Sequence, residues 1–315
     1  MKTAVLYAGQ GSQVPGMGKS FYEEFSVFRD TIDRAAEYVD FDLKKVMFEG
    51  PQETLNETRY TQPCLAAFAA GVTNLLRSEG FSADAAAGLS LGEYSALYAA
   101  GVFTEEQLIR ATAFRGAAMQ KAGEGLETKM CALLGLDDEK AAACAEQAAS
   151  ETGKPVYISN YNAAGQVVIS GLLPAVRRAE ELGLDAGARK CMELATSSAF
   201  HTPFMAEAAR SLGPYLKGLP LGEMKLPVIF NATGTELRPG ETVRVLLEKQ
   251  VVSPVHMSQS LTYLAEHGVT RTVEIGPGHV LTGFVRRTIR GTEGIVLDEA
   301  DDLKQFLKEL RKTNE

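Results

Sequence analysis

The sequence predicts an α/β protein in which a larger core is interrupted by a smaller unit of its own. Three observations carry the prediction. Short apolar runs suited to buried strands alternate with longer stretches in which apolar residues recur at helical spacing. From about residue 130 to residue 194 the order becomes strand, helix, strand, strand, helix, strand, the split order of a ferredoxin-like unit. A chain of 315 residues, 45% hydrophobic and 23% charged, is also long and apolar enough to bury a core without staples, as one large domain or two modest ones.

In chain order, residues 2–8 read as a buried strand ending in the loop Gly9-Gln10-Gly11-Ser12-Gln13. Residues 61–77 are apolar at helical spacing. Residues 85–89 form a second buried strand that runs directly into Ser90, and residues 91–100 read as a helix. The helix at 104–120 opens on Thr104 and Gln107, spaced as a reciprocal capping box. The interrupting unit has strands at 130–136, 156–162, 167–171 and 189–194, with helices at 138–150 and 174–182. Beyond it, strands at 227–231 and 272–275 alternate with helices at 259–267 and 281–290, and residues 312–315 read as a loose end. The expected division is a discontinuous core, 1–124 and 198–315, with an insertion at 125–197.

Composition narrows the function classes. The net charge of −8 carries no basic nucleic-acid footprint, and an acidic partner would need a local basic patch. Cys64, Cys131, Cys144 and Cys191 are scattered, without C-x-x-C or zinc spacing, and read as buried thiols of a reducing compartment. No apolar run reaches the roughly 18 residues of a membrane span, and the first one is too short for a signal peptide. The expectation is a cytoplasmic protein. Three phosphate-loop decoys fail: Gln13 stands where Gly18-Lys19-Ser20 would need a glycine, and neither Gly9-Gln10-Gly11 nor Gly276-Pro277-Gly278 is completed by a third glycine.

Gly88-Leu89-Ser90-Leu91-Gly92 matches G-x-S-x-G in the demanding context of an apolar strand before and a helix after. Such an elbow lifts the serine hydroxyl to the edge of a sheet. It also sets the hydroxyl near a helix N-terminus, where backbone N–H groups favour developing negative charge; the Leu91 N–H is then one oxyanion donor. A nucleophilic serine needs a base. Four histidines exist, His201, His256, His267 and His279. His201 leads because it lies where the chain leaves the inserted unit, a place suited to facing a cleft. No acidic third member is evident, and a backbone carbonyl can hold the imidazole tautomer equally well.

On the helix at 104–120, Leu108, Ala111, Arg115, Ala118 and Met119 share one apolar stripe, whereas Arg110 pairs with Glu106 on the solvent side. A guanidinium on a buried face demands an anion. The residues leave two candidates: a protein carboxylate, or a substrate carboxylate held bidentately.

Taken together these segments resemble the malonyl-CoA:acyl-carrier-protein transacylases over nearly the whole chain. Gly9-Gln10-Gly11-Ser12-Gln13 is similar to the family's G-Q-G-S-Q loop, and Gly88 to Glu93 to its G-H-S-L-G-E elbow. Arg115-Gly116 with Met119-Gln120 resembles its arginine helix, Ala199-Phe200-His201 its histidine segment, and Glu274-Ile275-Gly276-Pro277-Gly278 its E-x-G-P-G loop. The resemblance implies an α/β-hydrolase-like core with a ferredoxin-like insertion. It implies Ser90 as acyl acceptor, His201 as base, and the Gln10 and Leu91 N–H groups as oxyanion donors. Arg115 would grip the malonyl carboxylate, Gln62 would line the cleft, and Phe200 would crowd a branched acyl group. A main-chain carbonyl near Gln250 would orient the histidine. It further implies malonyl-CoA as substrate with no tightly bound cofactor or metal, acyl carrier protein as partner, neither nucleic acid nor membrane, and a monomer.

Departures are Leu89 for the usual His, a change expected to touch packing or acyl selectivity, Ala8 for a common Pro, and His279 for a common Lys. Arg286, Arg287 and Arg290 near His279 are the candidate basic patch for an acidic carrier. The rivals are a serine hydrolase, a related transferase of polyketide synthesis or malonate decarboxylation, and a non-catalytic carrier-binding module.

Overall fold

The computed structural model describes residues 1–196 and 198–313. The chain divides into two compact units, one of Met1–Gly116, Pro220–Ile229 and Leu264–Glu315, the other of Ala117–Leu219 and Phe230–Tyr263.

The first unit carries β1 (Lys2–Tyr7), α1 (Lys19–Glu24), α2 (Ser26–Glu37), α3 (Leu43–Glu49), α4 (Gln52–Leu55), α5 (Thr58–Ser78), β2 (Ala85–Gly88), α6 (Gly92–Ala99) and most of α7 (Glu105–Ala122). The chain then enters the second unit, described below, and returns to the first with β7 (Val228–Ile229). The chain ends in the first unit with β9 (Val269–Ile275), α13 (Val280–Thr288), β10 (Glu293–Leu297) and α14 (Ala300–Thr313). Its sheet has the order β10-β9-β1-β2-β7 and every pairing is parallel. A parallel sheet is covered on both faces, and the sequence complies: β1 is buried after its first residue and β2 throughout. Phe21, Phe28 and Phe68, all fully buried, pack ring to ring within the same unit.

Strand order reverses at β1, which has β2 on one side and β9 on the other. Ligand sites of open α/β sheets lie beyond the carboxyl ends of strands at such a reversal. The segments leaving those three ends here are the residue 9–13 loop, Ser90, and the Gly276-Pro277-Gly278 loop. Hydrogen bonds from Leu89 N to Tyr7 O (3.0 Å) and from Ala8 N to Ile275 O (3.1 Å) draw the three together.

The second unit holds β3 (Thr128–Leu134), α8 (Asp138–Thr152), β4 (Val156–Ala163), β5 (Gln166–Leu172), α9 (Leu173–Asp185) and β6 (Lys190–Glu193). A 3-10 turn at Pro203–Met205, α10 (Ala206–Lys217), α11 (Val243–Gln250), β8 (Val255–His256) and the start of α12 (Met257–Glu266) complete it. Sheet order is β6-β3-β5-β4-β8. The first four strands are antiparallel in the ferredoxin-like arrangement, and Leu133, Val167 and Ile169 of the sheet share one buried core with Ala145 of α8 and Val176 of α9.

The unit is larger than the expected insertion at 125–197. All six expected elements are present, but residues 117–124, 198–219 and 230–263 belong with them. β8 extends the sheet by pairing parallel to β4, Asn160 opposite Val255 and Tyr161 opposite His256. Arg244 of α11 donates to Leu216 O and Leu219 O at the end of α10, at 3.0 and 2.6 Å. A two-residue strand has no period to read, so β8 left no trace in the pattern, whereas α10 buries Ala208, Ala209, Leu212 and Leu216 at helical spacing. The expected boundary at residue 197 lies outside the described residues. So do Asn314 and Glu315 of the expected loose end, and α14 continues through Thr313. His256, expected near a loop, is half-buried on β8 and stacks on Tyr161 with centroids 5.3 Å apart. Among the described residues no helix is long and apolar enough to cross a membrane.

Candidate active site

The elbow forms where expected. β2 ends at Gly88, α6 begins at Gly92, and Ser90 sits between them with φ 53°. Left-handed backbone is costly for a residue with a side chain, so packing must impose it. The glycines show how. A Cβ on Gly88 would fall 2.0 Å from Gly92 C, and one on Gly92 would fall 2.1 Å from Tyr7 O. The turn closes only because neither residue has a side chain. Gly92→Ala is therefore expected to destabilise the fold by about 3 kcal/mol or more, the upper range for overpacking against backbone, read as a lowered urea midpoint; an unchanged midpoint would contradict the packing.

Arg115 reaches this serine. Its Nη2 donates to Ser90 Oγ at 3.0 Å and its Nη1 to Gln62 Oε1 at 2.8 Å. Arg115 and Gln62 are each only 1% exposed. The guanidinium also lies over the Tyr94 ring, 5.4 Å from its centroid. Burial pulls the Arg115 pKa down, and Tyr94 and Glu93 work against that pull; a guanidinium stays protonated regardless. The stripe reading of α7 holds for Leu108, Ala111, Arg115 and Met119, while Ala118 is half-buried. Thr104 and Gln107 cap each other as expected, at 2.8 and 3.2 Å, and Arg110 pairs with Glu106 at 2.7 Å.

The Gln10 loop stands beside the elbow, with Gly9 packed against Leu89. Ser12 N and Oγ both donate to Gly9 O, and Gly11 N donates to Gln13 Oε1, so the loop is fixed by its own residues. Gln10 Nε2 donates to Thr58 Oγ1 at 3.1 Å. One face of α5 thus steadies two site elements: Thr58 holds Gln10 and, one turn on, Gln62 holds Arg115. Leu91 is buried at the start of α6.

In the second unit His201 is 4% exposed, and its Nδ1 lies 2.8 Å from Gln250 O. With the proton on Nδ1 donated to that carbonyl, Nε2 carries the lone pair. Gln250 is itself fully buried and donates from Nε2 to Asn231 Oδ1 at 3.5 Å. His201 has φ 58°. Among the described residues only Ser90 and His201 combine a side chain with positive φ, and such strain concentrates at functional positions. Phe200, next to it, is 5% exposed.

Arg286, Arg287 and Arg290 are exposed on and just after α13, in the first unit, and His279 is exposed before it. Cys64, Cys131 and Cys144 are buried and Cys191 half-buried, all as free thiols. Among the described residues no group of three or more His, Cys, Asp or Glu is placed to hold a metal ion. Sequence reasoning passed over Thr58, Tyr94 and Asn231. Tyr94 carried one signal, its i+4 spacing from Ser90; the other two show only through contacts far along the chain.

A strained serine on a strand–helix elbow with a buried cation on its oxygen, at the reversal of a parallel sheet, defines the acyl transferase class, and residues 5–310 match the acyl transferase domain family. The chain is 34% identical over 314 residues to the malonyl CoA-acyl carrier protein transacylase of Bacillus subtilis, covering 100% of this chain and 99% of that one. A crystal structure of the Streptococcus pneumoniae enzyme superimposes with a TM-score of 0.91 at 36% identity, covering 98% and 100% of the two chains. A malonyl-transacylase solved in complex with a type II polyketide acyl carrier protein does so with a TM-score of 0.94 at 34% identity, again covering 98% and 100%. The chain belongs to the malonyl-CoA:acyl-carrier-protein transacylase family.

Proposed function

We propose that this chain moves the malonyl group of malonyl-CoA to the phosphopantetheine thiol of an acyl carrier protein through a malonyl ester on Ser90. The observation that carries the reading is the Arg115 guanidinium 3.0 Å from Ser90 Oγ. A buried cation at that distance suits an acyl group with a free carboxylate two bonds beyond its carbonyl carbon.

In the first half-reaction Ser90 Oγ attacks the thioester carbonyl and its proton passes to His201 Nε2. The oxyanion is met by the N–H groups of Gln10 and Leu91. The C–S bond then breaks and the CoA sulfur takes the proton. The carrier's thiol runs the same steps in reverse. Gln250 O orients His201, Arg115 and Gln62 hold the carboxylate end, and Phe200 crowds a branched acyl group. The chemistry calls for no cofactor, and a supply of CoA thioesters puts it in the cytoplasm. Arg286, Arg287 and Arg290 are proposed to dock the acidic carrier; their exposure on a chain of net charge −8 supports this. A second reading changes only the carrier, to one of polyketide synthesis, and the solved carrier complex of a relative favours including it.

The test is intact mass of the protein after malonyl-CoA, with each carrier then added. A malonyl adduct on Ser90 that discharges onto a carrier faster than into water is the expected result. Equal drainage to water would make the protein a hydrolase, and no adduct would overturn the reading. Arg286→Glu with Arg287→Glu should slow discharge to the carrier and spare loading; equal slowing of both removes the patch from the proposal.

A further inference from the structure

We infer that a cavity at the amino ends of β2 and β7 is a second ligand site. It takes an aliphatic monocarboxylate of about eight carbons, with the head on Arg77 and Lys225 and the tail on the cavity floor.

Five segments of the first unit build it: β1, α5, residues 81–83 leading into β2, the end of α6, and residues 225–226 leading into β7. The segments before β2 and β7 lie at the amino ends of those strands, whereas Ser90 leaves the carboxyl end of β2. The cavity is therefore separate from the elbow.

Its floor suits a hydrocarbon. Val5, Leu76, Phe81 and Leu226 line it. Two hydroxyls also reach it, and both have spent their donors. Thr73 Oγ1 donates to Ala69 O at 2.6 Å, so the 2.9 Å bond between Tyr7 and Thr73 is donated by the Tyr7 hydroxyl. A tail resting there leaves neither proton without an acceptor.

The rim suits an anion. Arg77 and Lys225 line the same cavity and are exposed. Arg77 Nη2 donates to Tyr98 O and Ala99 O, each at 3.0 Å, and Nη1 lies 3.5 Å from Asn74 Oδ1. These acceptors are neutral, so they fix the guanidinium without cancelling its charge. Among the described residues Arg77 has no carboxylate partner, and the Lys225 ammonium makes neither a hydrogen bond nor an ion pair. Two uncompensated cations above an apolar floor, on a chain of net charge −8, complement a carboxylate with an apolar tail. The cavity volume is about 230 Å³. A dry cavity of about 150 Å³ holds benzene, and the same ratio gives this one about eight or nine carbons. A lipid with two long tails does not fit.

The experiment is calorimetric titration of the full chain with octanoate. Octanoate is expected to bind at one site with a Kd of about 1 mM or tighter, the scale of a ligand of about ten non-hydrogen atoms. Hexanoate should bind about tenfold more weakly, the effect of two methylenes withdrawn from apolar contact. Octanol should bind about tenfold more weakly for want of the charge, and octyltrimethylammonium should not bind. Lys225→Glu should weaken octanoate about tenfold and leave octanol unchanged. Ala99→Leu, which fills the cavity, should abolish the binding of both. Lys225 is exposed and its variant is expected to fold, so that arm decides the matter even where Ala99→Leu does not fold. Arg115→Ala is the control for a carboxylate seated beside Ser90, and octanoate binding should survive it. Four results overturn the site: no saturable binding of octanoate, equal affinity for hexanoate and octanoate, binding that Lys225→Glu leaves level, or binding that Arg115→Ala removes.

Discussion

Ser90→Ala is expected to end covalent loading by malonyl-CoA, with transfer to the carrier falling by roughly 10⁴- to 10⁶-fold, the scale of losing a nucleophile from a cooperating set. The loss follows from chemistry rather than from folding. Alanine keeps the Cβ and must still occupy φ 53°, so the elbow and its glycine packing persist. The backbone strain supplies a control. Ser90→Gly should be equally inactive yet more stable by about 1 kcal/mol, because glycine adopts left-handed backbone without penalty. Activity would be read by intact mass and carrier transfer, stability by urea unfolding. Robust malonylation of the alanine variant at any position would remove Ser90 from its role. A glycine variant less stable than the alanine one would show that the turn is not strained.

Arg115→Ala carries the second large effect. Losing one partner of a charge-assisted pair costs roughly 2–5 kcal/mol, so kcat/KM for malonyl transfer should fall by about 30- to 4,000-fold. Acetyl transfer should not fall with it, since an acetyl group has no carboxylate to lose. Equal losses for both substrates would sink the carboxylate clamp. Arg115→Lys is not a conservative rescue. An ammonium is a point donor without the planar fork that engages Gln62 and Ser90 at once, so it should recover only part of the activity. The residual malonyl preference of the lysine variant measures how much of the selection is charge and how much is fork geometry.

Much of the site is legible because its signals are local. The capping box at Thr104 and Gln107 is two side chains three residues apart, and it forms. The elbow is five residues in a strand–helix context, and its glycines are required by contacts within a few residues and by the adjoining strand. Arg115 stands out because a helical period places it on an apolar face. What it touches does not stand out: Ser90 is 25 residues away and Gln62 is 53. Where the residues left open a protein or a substrate carboxylate, the structure has the guanidinium donating to an alcohol and an amide, with Glu93 contributing attraction to it.

The histidine divides along the same line. His201 could be ranked among four by its place in the chain, but its left-handed backbone had no glycine to announce it. Its orienting partner is a main-chain carbonyl, which every residue possesses, and only the family resemblance pointed to Gln250. The extent of the second unit shows the same limit. The β-α-β-β-α-β order was visible in the periodicity, whereas β8 joins the sheet through two residues. The sequence alone determined the strand–elbow–helix around Ser90, the misplaced cation of α7 and the order of the inserted sheet, because each is encoded by neighbours one or two turns apart. Only the tertiary structure decided which oxygen the guanidinium meets, which carbonyl holds the imidazole and where the second unit ends. Those depend on contacts between segments far apart in the chain, made by backbone and amide groups whose chemistry is not distinctive.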